Sequence, residues 1–215
     1  MNQLNVDSRV RSAMVSDCLD AIGIRNCAMD GTIKPLLRDM RAVGVAATIQ
    51  FVASEIYDQD DPYGAAIDYL DTLQSGQIAI VATAGSTKSA FWGELFSAAA
   101  KGRGATGVVT DGPLRDTNQI IDVGFSAFGA SSRPVDYKGR MRVESIHLPV
   151  TCGGVQVHQG DAVIADSDGI VVVPSKHIDE VFRAANERAQ GEKTVLQELM
   201  GGKSVRAVWD EYRLL

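Results

Sequence analysis

The feature that most constrains the fold of this chain is a series of short apolar runs, rich in β-branched residues, that alternate with segments of helical character. The runs at residues 43–51 and 78–84 are continuous enough to predict strands buried on both faces. A predicted helix at 64–72 separates them, and a second helix at 94–101, ended by a glycine, precedes a strand at 107–110. This alternation predicts an α/β fold.

Residues 143–174 differ from the first part of the chain, because short apolar runs there alternate with tight turns such as Asp168-Gly169. They predict a β-meander within the same domain. The chain has 215 residues, about one and a half times a typical domain of ~150 residues. One α/β domain over residues 1–174 is therefore expected.

Residues 175–215 predict a helical extension of that domain. A long helix is expected from about Ser175, its N-cap, with a break near Gly191. The stretch after Gly202 is amphipathic and contains Trp209. We expect the extension to pack on the same domain or on a neighbouring subunit.

Composition and charge exclude several classes of protein. The chain carries 21 Lys and Arg against 27 Asp and Glu, a net charge of −6, and an acidic chain without a segregated basic patch is not expected to bind nucleic acid. No apolar run approaches the ~20 residues of a membrane span. Cys18, Cys27 and Cys152 lack CxxC spacing, and with three histidines no zinc quartet is expected. A reduced, cytoplasmic protein is predicted.

Two segments at the ends of predicted elements carry the candidate chemistry. Gly93, Glu94 and Leu95 open a helix, where free amides and the helix dipole favour an anion such as a carboxylate. After the next strand, Arg115 offers a planar fork for a carboxylate or an enolate oxygen, and Asp116 is a hard oxygen ligand suited to Mg²⁺ or Mn²⁺. These residues would bind a 2-oxo acid and a divalent metal, but Arg-Asp at a helix start also fits an ordinary surface ion pair.

The order of these motifs resembles that of the divalent-metal 4-hydroxy-4-methyl-2-oxoglutarate aldolases, whose superfamily also contains the ribonuclease activity regulator RraA. Residues 16–23 resemble the N-terminal helix of that family and residues 44–48 its first strand, and the match spans roughly residues 12 to 174. The motif residues are Gly93, Glu94 and Leu95, then Arg115 and Asp116, which twenty intervening residues separate from Glu94, then the glycines, valines and aspartates between Cys152 and Pro174.

The resemblance implies an α/β sandwich of the swivelling, phosphohistidine-domain type, with a mixed sheet. It also implies a homotrimer or homohexamer whose active sites lie between subunits. Asp116, together with waters, would bind the Mg²⁺ or Mn²⁺ ion. The regulator branch of the family lacks the aspartate after the arginine, so the presence of Asp116 favours catalysis.

The implied reaction is the retro-aldol cleavage of a 4-hydroxy-2-oxo acid to pyruvate and a second oxo acid, with oxaloacetate decarboxylation as a side activity. The amides near Gly93 and Leu95 and the side chain of Arg115 would bind the pyruvate part. Glu94 would hold a water that relays protons. A glutamate from the neighbouring subunit is expected to orient that water, with Glu192 as the first candidate and Glu187 as the second.

Two alternative functions remain open. A non-catalytic regulator of the RraA type would use the same assembly to bind a ribonuclease or another protein. A Schiff-base aldolase would need a desolvated lysine, whereas Lys88 and Lys101 lie in polar segments bounded by glycine.

Two loops bear on the choice of substrate. An acidic loop at residues 55–63 is longer than the resemblance predicts. A basic loop at 133–142 could clamp a second carboxylate of the substrate, although a solvated or intersubunit loop is the favoured interpretation. The basic residues are Arg133, Lys138, Arg140 and Arg142.

Overall fold

The computed structural model describes residues 4–214. Its helices are α1 (Ser12–Ala21), α2 (Gly64–Thr72), α3 (Glu94–Gly102), α4 (Thr117–Val123), α5 (Ile178–Met200) and α6 (Val205–Tyr212). Its strands are β1 (Lys34–Pro35), β2 (Ala42–Ala53), β3 (Gln77–Ala82), β4 (Gly107–Leu114), β5 (Ser126–Ser132), β6 (Met141–Ile146), β7 (Val150–Cys152), β8 (Val155–Val157), β9 (Ala162–Ala165) and β10 (Ile170–Val173).

One mixed sheet organises the chain in the order β1-β5-β4-β3-β2-β9-β10, and β6 also pairs with β2. Strands β2, β3, β4 and β5 run parallel to one another, whereas β1 pairs antiparallel with β5, β6 and β9 pair antiparallel with β2, and β10 pairs antiparallel with β9. The predicted α/β fold with a mixed sheet is confirmed. The strand β1 was not predicted, because two residues are too few to show a periodic pattern.

The continuous apolar pattern of β3 follows from burial on both faces. Ala79 and Val81 pack with α2, α3 and α4, whereas Ile78 and Ile80 pack with the hairpin β7-β8 on the opposite face. All the residues of β3 are buried. Each fully buried aliphatic side chain of this kind contributes about 1.5–3 kcal/mol, so a polar residue on either face of β3 would be costly.

The strand-and-turn segment that was predicted after residue 143 forms two hairpins in different sheets. The hairpin β9-β10 joins the main sheet, and β7-β8 forms a separate sheet of two strands. The turn between β9 and β10 is tied to α1, because Asp166 accepts hydrogen bonds from the Ser12 amide at 2.7 Å and the Ser12 hydroxyl at 2.6 Å. Asp166 also accepts one from the Asp168 amide, so its carboxylate joins the turn to the start of α1.

The C-terminal helix is longer than predicted. α5 is continuous over Ile178–Met200, so the predicted break near Gly191 is wrong. A glycine inside a helix costs about 1 kcal/mol relative to alanine, but Ala189 and Val195 on either side of it are buried. A Cβ at position 191 would lie 3.1 Å from the side chain of Leu214. The glycine therefore leaves room for Leu214 to pack against α5 and does not interrupt the helix.

Helices α1 and α5 cover the β9-β10 end of the sheet with an apolar cluster that includes Leu19, Phe182 and Val173. α6 packs on the same chain, with Val208 fully buried and Ser204 accepting a hydrogen bond from the Ala207 amide as the N-cap. Among residues 4–214, no helix is both long enough and apolar enough to span a membrane.

Candidate functional site

A cavity of about 380 Å³ lies where α3 begins and β4 ends. The lining has a polar end, where Arg115 and Asp116 lie, and a larger apolar wall around Tyr137. The lining residues are Tyr63, Ile67, Ala90, Phe91, Trp92, Gly93, Glu94, Leu95, Phe96, Arg115, Asp116, Asp136 and Tyr137.

Strand β4 delivers Arg115 and Asp116 to this cavity. The sequence predicted that the strand ends at Thr110, but β4 continues to Leu114, with a register shift between Thr110 and Pro113. The segment that leads into α3 runs beside the end of β4, and the Arg115 amide donates a hydrogen bond to the Trp92 carbonyl at 2.9 Å. This pairing holds the two candidate segments next to each other.

The start of α3 is fixed by the hydroxyl of Ser97, which is fully buried. This hydroxyl accepts a hydrogen bond from Trp92 Nε1 at 2.8 Å and donates one to the Gly93 carbonyl at 2.9 Å. Among the described residues, none accepts a hydrogen bond from the amides of Gly93 and Leu95. These amides therefore remain available to an anion at the positive end of the helix dipole.

Asp116 precedes α4 with a left-handed backbone, at φ 53° and ψ 41°. Aspartate tolerates this conformation better than most non-glycine residues. Its Oδ2 lies 3.4 Å from the Glu94 amide and 3.5 Å from Arg115 Nε, and the side chain is 43% exposed. The carboxylate thus reaches the start of α3 and stays open to the cavity.

The guanidinium of Arg115 is held by Asp136, because Nη1 donates to Asp136 Oδ2 at 3.0 Å. The hydroxyl of Tyr63 donates to the same oxygen at 2.7 Å. Burial alone would raise the pKa of Asp136, but hydrogen bonds from the Lys138 amide and from Tyr63, together with the charge of Arg115, lower it overall. Asp136 therefore stays ionised and orients Arg115 at the cavity.

Glycine is required at position 93 because the side chains of Arg115 and Asp116 approach its backbone closely. Its backbone is extended, at φ −146°, so no left-handed conformation is involved. A Cβ at this position would lie 2.5 Å from Asp116 Oδ2 and 3.0 Å from Arg115 Cγ. Any larger residue would displace the groups that define the polar end.

The apolar wall is built around Tyr137. Its ring packs edge to face against Phe51 at 5.0 Å and Tyr63 at 5.6 Å between ring centroids, and lies parallel to Phe91 at 6.5 Å. Tyr137 is 5% exposed, and its hydroxyl has no hydrogen-bond partner among the described residues. Burial raises the pKa of this phenol, with Asp136 adding to the effect, so the hydroxyl remains protonated.

We expect the Tyr137→Phe protein to be as stable as the parent or more stable by about 1 kcal/mol, because an unpaired buried hydroxyl is removed. The matched Tyr63→Phe protein loses a hydrogen bond to a carboxylate and should be destabilised by about 1 kcal/mol. Urea unfolding of both proteins measures the difference. A loss of more than about 1 kcal/mol in Tyr137→Phe would show that its hydroxyl is satisfied.

The structure brings together most of the predicted site residues, namely Gly93, Glu94, Leu95, Arg115 and Asp116. It does not bring Glu192 or Glu187 to them within one chain. Glu192 accepts a hydrogen bond from Arg188 Nε at 2.6 Å and lines a different groove on α5, and Glu187 pairs with Arg183 at 3.1 Å. A contribution from a neighbouring subunit stays a prediction.

The donor set suits a hydrated divalent ion. Within residues 4–214, no cluster of three or more His, Cys, Asp or Glu side chains is arranged to hold a metal. Mg²⁺ commonly keeps several waters and binds one or two carboxylates. The partly exposed carboxylate of Asp116, in a cavity with room for water, fits that pattern.

Sequence reasoning missed Tyr63, Asp136 and Tyr137, although it noted both loops that carry them. The loop at 55–63 ends at Tyr63, and the loop at 133–142 contains the other two residues. The basic side chains of the second loop do not line the cavity. Arg140 Nη1 donates to the carbonyls of Asp136 and Lys138, and Arg142 pairs with Glu144 at 2.5 Å.

The cysteines and histidines lie outside this cavity. Cys152 is fully buried in the apolar cluster between the main sheet and the hairpin β7-β8, and burial raises the pKa of its thiol. Among the histidines, His147 lies 2.8 Å from Thr72 Oγ1, and His158 and His177 each lie 3.5 Å from a carboxylate. Neither residue type supplies a nucleophile or base to the cavity walls.

Known proteins resemble this chain in sequence. The RraA-like family model, described as Aldolase/RraA, matches residues 12–172. Protein DlpA of Legionella pneumophila subsp. pneumophila is 26% identical over 201 residues, which cover 94% of this chain and 32% of that protein. The chain thus spans about a third of the length of the Legionella protein.

Two further proteins are similar to this chain over most of the length of both sequences. A Halalkalibacterium halodurans protein named "Putative 4-hydroxy-4-methyl-2-oxoglutarate aldolase" is 26% identical over 193 residues, which cover 87% of this chain and 86% of that protein. The crystal structure of Streptomyces coelicolor RraAS2, an unusual member of the RNase ES inhibitor RraA protein family, superposes with a TM-score of 0.77 at 28% identity, covering 88% of this chain and 94% of its own. This similarity confirms the predicted fold class.

Proposed function

The chain belongs to the RraA-like, or Aldolase/RraA, family, and from that membership and its cavity we propose that it is a divalent-metal-dependent carbon–carbon lyase. It would cleave a 4-hydroxy-2-oxo acid to pyruvate and a second carbonyl compound. The observation that carries the proposal is the convergence of the Arg115 guanidinium, the Asp116 carboxylate and the open amides at the start of α3 on one cavity. With 4-hydroxy-4-methyl-2-oxoglutarate, the compound named in a relative, the second product is also a 2-oxo acid.

The polar end of the cavity binds the 2-oxo acid portion of the substrate. The amides of Gly93 and Leu95 and the fork of Arg115 supply the donors for the 1-carboxylate. Asp116 would hold Mg²⁺ or Mn²⁺, which when bound supplies Lewis acidity to the 2-oxo group. Arg115 then stabilises the negative charge that develops on the pyruvate enolate.

The reaction moves one proton off the substrate and returns one. The 4-hydroxyl loses its proton, its C–O bond becomes a carbonyl, and the electron pair of the C3–C4 bond stays on C3 of the enolate. Protonation at C3 then gives pyruvate. Glu94 lines the cavity beside Arg115 and is the group on this chain suited to pass these protons through a water, with Glu192 of a neighbouring subunit as its proposed partner.

The same enolate forms when oxaloacetate loses CO₂, so oxaloacetate decarboxylation is a convenient assay. We expect the purified protein with Mg²⁺ to release pyruvate from both oxaloacetate and a 4-hydroxy-2-oxo acid. EDTA should lower both rates at least about 100-fold, and added Mg²⁺ or Mn²⁺ should restore them. Full activity in EDTA would contradict the proposal.

A Schiff-base mechanism makes the opposite prediction. No lysine is among the described residues that line the cavity, and Lys101 Nζ donates to the Val123 carbonyl at 2.6 Å elsewhere. Borohydride added with pyruvate should therefore leave the mass of the protein unchanged. A covalent pyruvyl adduct on a lysine would favour the Schiff-base aldolase.

Gly93→Ala tests the geometry of the polar end. The added Cβ must displace Asp116 Oδ2 and Arg115, and small misplacements of this kind cost up to about 100-fold in rate. We expect kcat/KM to fall at least about tenfold, while stability changes by less than about 1 kcal/mol because partly exposed side chains can move. Gly102→Ala, at the other end of α3 with nothing within 4 Å of its Cβ, is the matched control and should keep full activity.

A second candidate function is supported by the likeness to RraAS2: a non-catalytic regulator that binds a ribonuclease. A regulator of this kind would release no pyruvate from any of these acids in Mg²⁺ but would bind and inhibit a ribonuclease.

We also propose that the protein forms a homotrimer or homohexamer with its active sites between subunits. Light scattering on the purified protein measures the mass of the assembly and so tests the number of subunits.

A further inference from the structure

The acidic loop at 55–63 ends at Tyr63, which lines the cavity but has no role in the reaction described above. A turn inside the loop directs the chain to this residue, because the Asp58 carboxylate accepts hydrogen bonds from the amides of Asp60 at 2.9 Å and Asp61 at 3.3 Å. The Tyr63 carbonyl then accepts two hydrogen bonds from amides of α2, both at 2.9 Å. The backbone of Tyr63 is therefore fixed where the loop joins the helix.

The ring and the hydroxyl of Tyr63 are also held in place. The ring packs edge to face against Tyr137 at 5.6 Å between ring centroids, and Lys138 Nζ lies 6.0 Å from its centre. The hydroxyl donates to Asp136 Oδ2 at 2.7 Å, and this hydrogen bond raises the pKa of the phenol. The proton thus stays on Tyr63, and the phenol is the donor at neutral pH.

Asp136 receives this hydrogen bond on a carboxylate that is also tied elsewhere. Its backbone pairs with that of Ala90, and its Oδ1 accepts a hydrogen bond from the Lys138 amide at 3.0 Å. Oδ2 accepts from both the Tyr63 hydroxyl and Arg115 Nη1, at 2.7 and 3.0 Å. The hydroxyl of Tyr63 and the guanidinium of Arg115 therefore meet on one oxygen atom.

This shared oxygen determines how Arg115 is held. A carboxylate oxygen has two lone pairs, and the two donors on Oδ2 use both of them. A two-point pair of arginine with a carboxylate needs an acceptor on each oxygen, whereas Arg115 and Asp136, both within the described chain, share one hydrogen bond, from Nη1. The other N–H groups of the guanidinium are left for the carboxylate or the enolate oxygen of a substrate.

We propose that Tyr63 is a positioning residue of this site: through Asp136 it fixes the orientation in which the Arg115 guanidinium meets the substrate. The inference rests on the proposed lyase function and deepens it. Without the hydroxyl, one lone pair of Asp136 Oδ2 is free, so the carboxylate and the guanidinium can pair in other geometries. Arg115 then keeps its charge but loses its fixed orientation. The acidic loop at 55–63 gains a role as the segment that carries Tyr63 to the cavity.

Tyr63→Phe removes the hydroxyl and keeps the ring. With Mg²⁺ and oxaloacetate, we expect kcat/KM for pyruvate release to fall at least about tenfold, since a misplacement of about 1 Å can cost up to about 100-fold in rate. The loss should be larger in kcat than in KM, because the enolate depends on Arg115 more than the bound ketone does. An unchanged kcat/KM would overturn the inference.

Tyr57→Phe is the matched control for this substitution. It removes a hydroxyl from the same loop, at a residue that is 40% exposed and does not line the cavity. Its kcat/KM should stay within about twofold of the parent value. A tenfold loss in this protein as well would assign the effect to the loop and not to the hydroxyl on Asp136, which would overturn the inference.

A double-mutant cycle tests whether Tyr63 acts through Asp136. Asp136→Ala removes the acceptor, so the hydroxyl of Tyr63 can no longer orient Arg115. Adding Tyr63→Phe to Asp136→Ala should therefore change kcat/KM by less than about twofold, although the same change costs about tenfold in the parent. A merely structural tyrosine would lower kcat/KM by the same factor in both proteins, and that result would overturn the inference.

Crystal structures of the parent and of Tyr63→Phe test the inference without turnover. We expect one orientation of Arg115 in the parent, and a shift of at least about 1 Å or a second orientation in Tyr63→Phe. The same single orientation in both proteins would overturn the inference. Failure of the lyase function is a separate result: a parent that releases no pyruvate from oxaloacetate or a 4-hydroxy-2-oxo acid contradicts that function, while the two crystal structures still decide whether Tyr63 orients Arg115.

Discussion

Arg115→Ala should lower kcat/KM for pyruvate release by about 10²–10³-fold, the usual cost of removing one donor that stabilises a developing oxyanion. The loss should appear in kcat as well as in KM, because the enolate carries more negative charge on its oxygen than the bound ketone does. Steady-state kinetics with oxaloacetate and with a 4-hydroxy-2-oxo acid measure both quantities.

The fold should survive this substitution. The ion pair of Arg115 with Asp136 joins side chains that are 36% and 27% exposed, and pairs of this exposure contribute about 1 kcal/mol or less. Asp136 also keeps its hydrogen bonds from Tyr63 and from the Lys138 amide. A urea midpoint close to that of the parent protein is therefore expected.

Two further variants serve as comparisons for Arg115→Ala. Arg115→Lys keeps the positive charge but loses the planar fork, so its activity should fall between those of the parent and Arg115→Ala. Arg103→Ala removes a surface arginine that pairs with Asp71 outside the cavity and should be fully active. If Arg115→Ala kept more than about a third of the parent activity, Arg115 would not be the oxyanion donor.

The parts of the fold that sequence predicts are those with a repeated local pattern. Strand β3 is apolar from Ile78 to Ala82, because both of its faces are covered, and α4 is followed by its C-cap Gly124, whose φ is 68°. Such features follow from steric and burial rules that act within a few residues. They were enough to predict the α/β order and the element that precedes each site residue.

The errors arise where tertiary packing overrides a local rule. Pro113 and the glycine before it predict the end of a strand, yet β4 continues because Pro113 still pairs with Ser131 of β5 beyond the register shift. Gly191 predicts a helix break, yet the packing of Ala189 and Val195 keeps α5 intact. In both cases the breaker residue is tolerated because its neighbours are held by other elements.

The residues of the candidate site also fall into two groups, those that the local sequence suggests and those that only the folded chain brings together. Glu94, Arg115 and Asp116 have a fixed spacing in the chain and lie at element ends, so sequence alone suggested them. Tyr63 and Asp136 are hydrogen-bonded at 2.7 Å although 73 residues separate them, and nothing local in either loop predicts that contact. The residues that orient Arg115 and shape the apolar wall therefore became visible only in the folded chain.

Asp116→Asn should abolish the dependence on divalent metal and reduce kcat/KM by about 10³-fold, because the change removes the one carboxylate proposed to bind the ion. The substitution is suited to the position. Asparagine tolerates the left-handed backbone at φ 53° as aspartate does, and its side-chain oxygen can still accept the hydrogen bond from the Glu94 amide. Stability should stay within about 0.5 kcal/mol of the parent.

The metal itself gives a readout that does not depend on turnover. Titration of the parent protein with Mn²⁺, followed by electron paramagnetic resonance, should show one tight site, and Asp116→Asn should weaken it at least about tenfold. Asp122→Asn changes an exposed carboxylate on α4, the helix that follows Asp116, and lies outside the cavity; this protein should bind Mn²⁺ like the parent. An Asp116→Asn protein that bound Mn²⁺ as tightly as the parent, but was inactive, would place the ion on other ligands and leave Asp116 as a substrate contact.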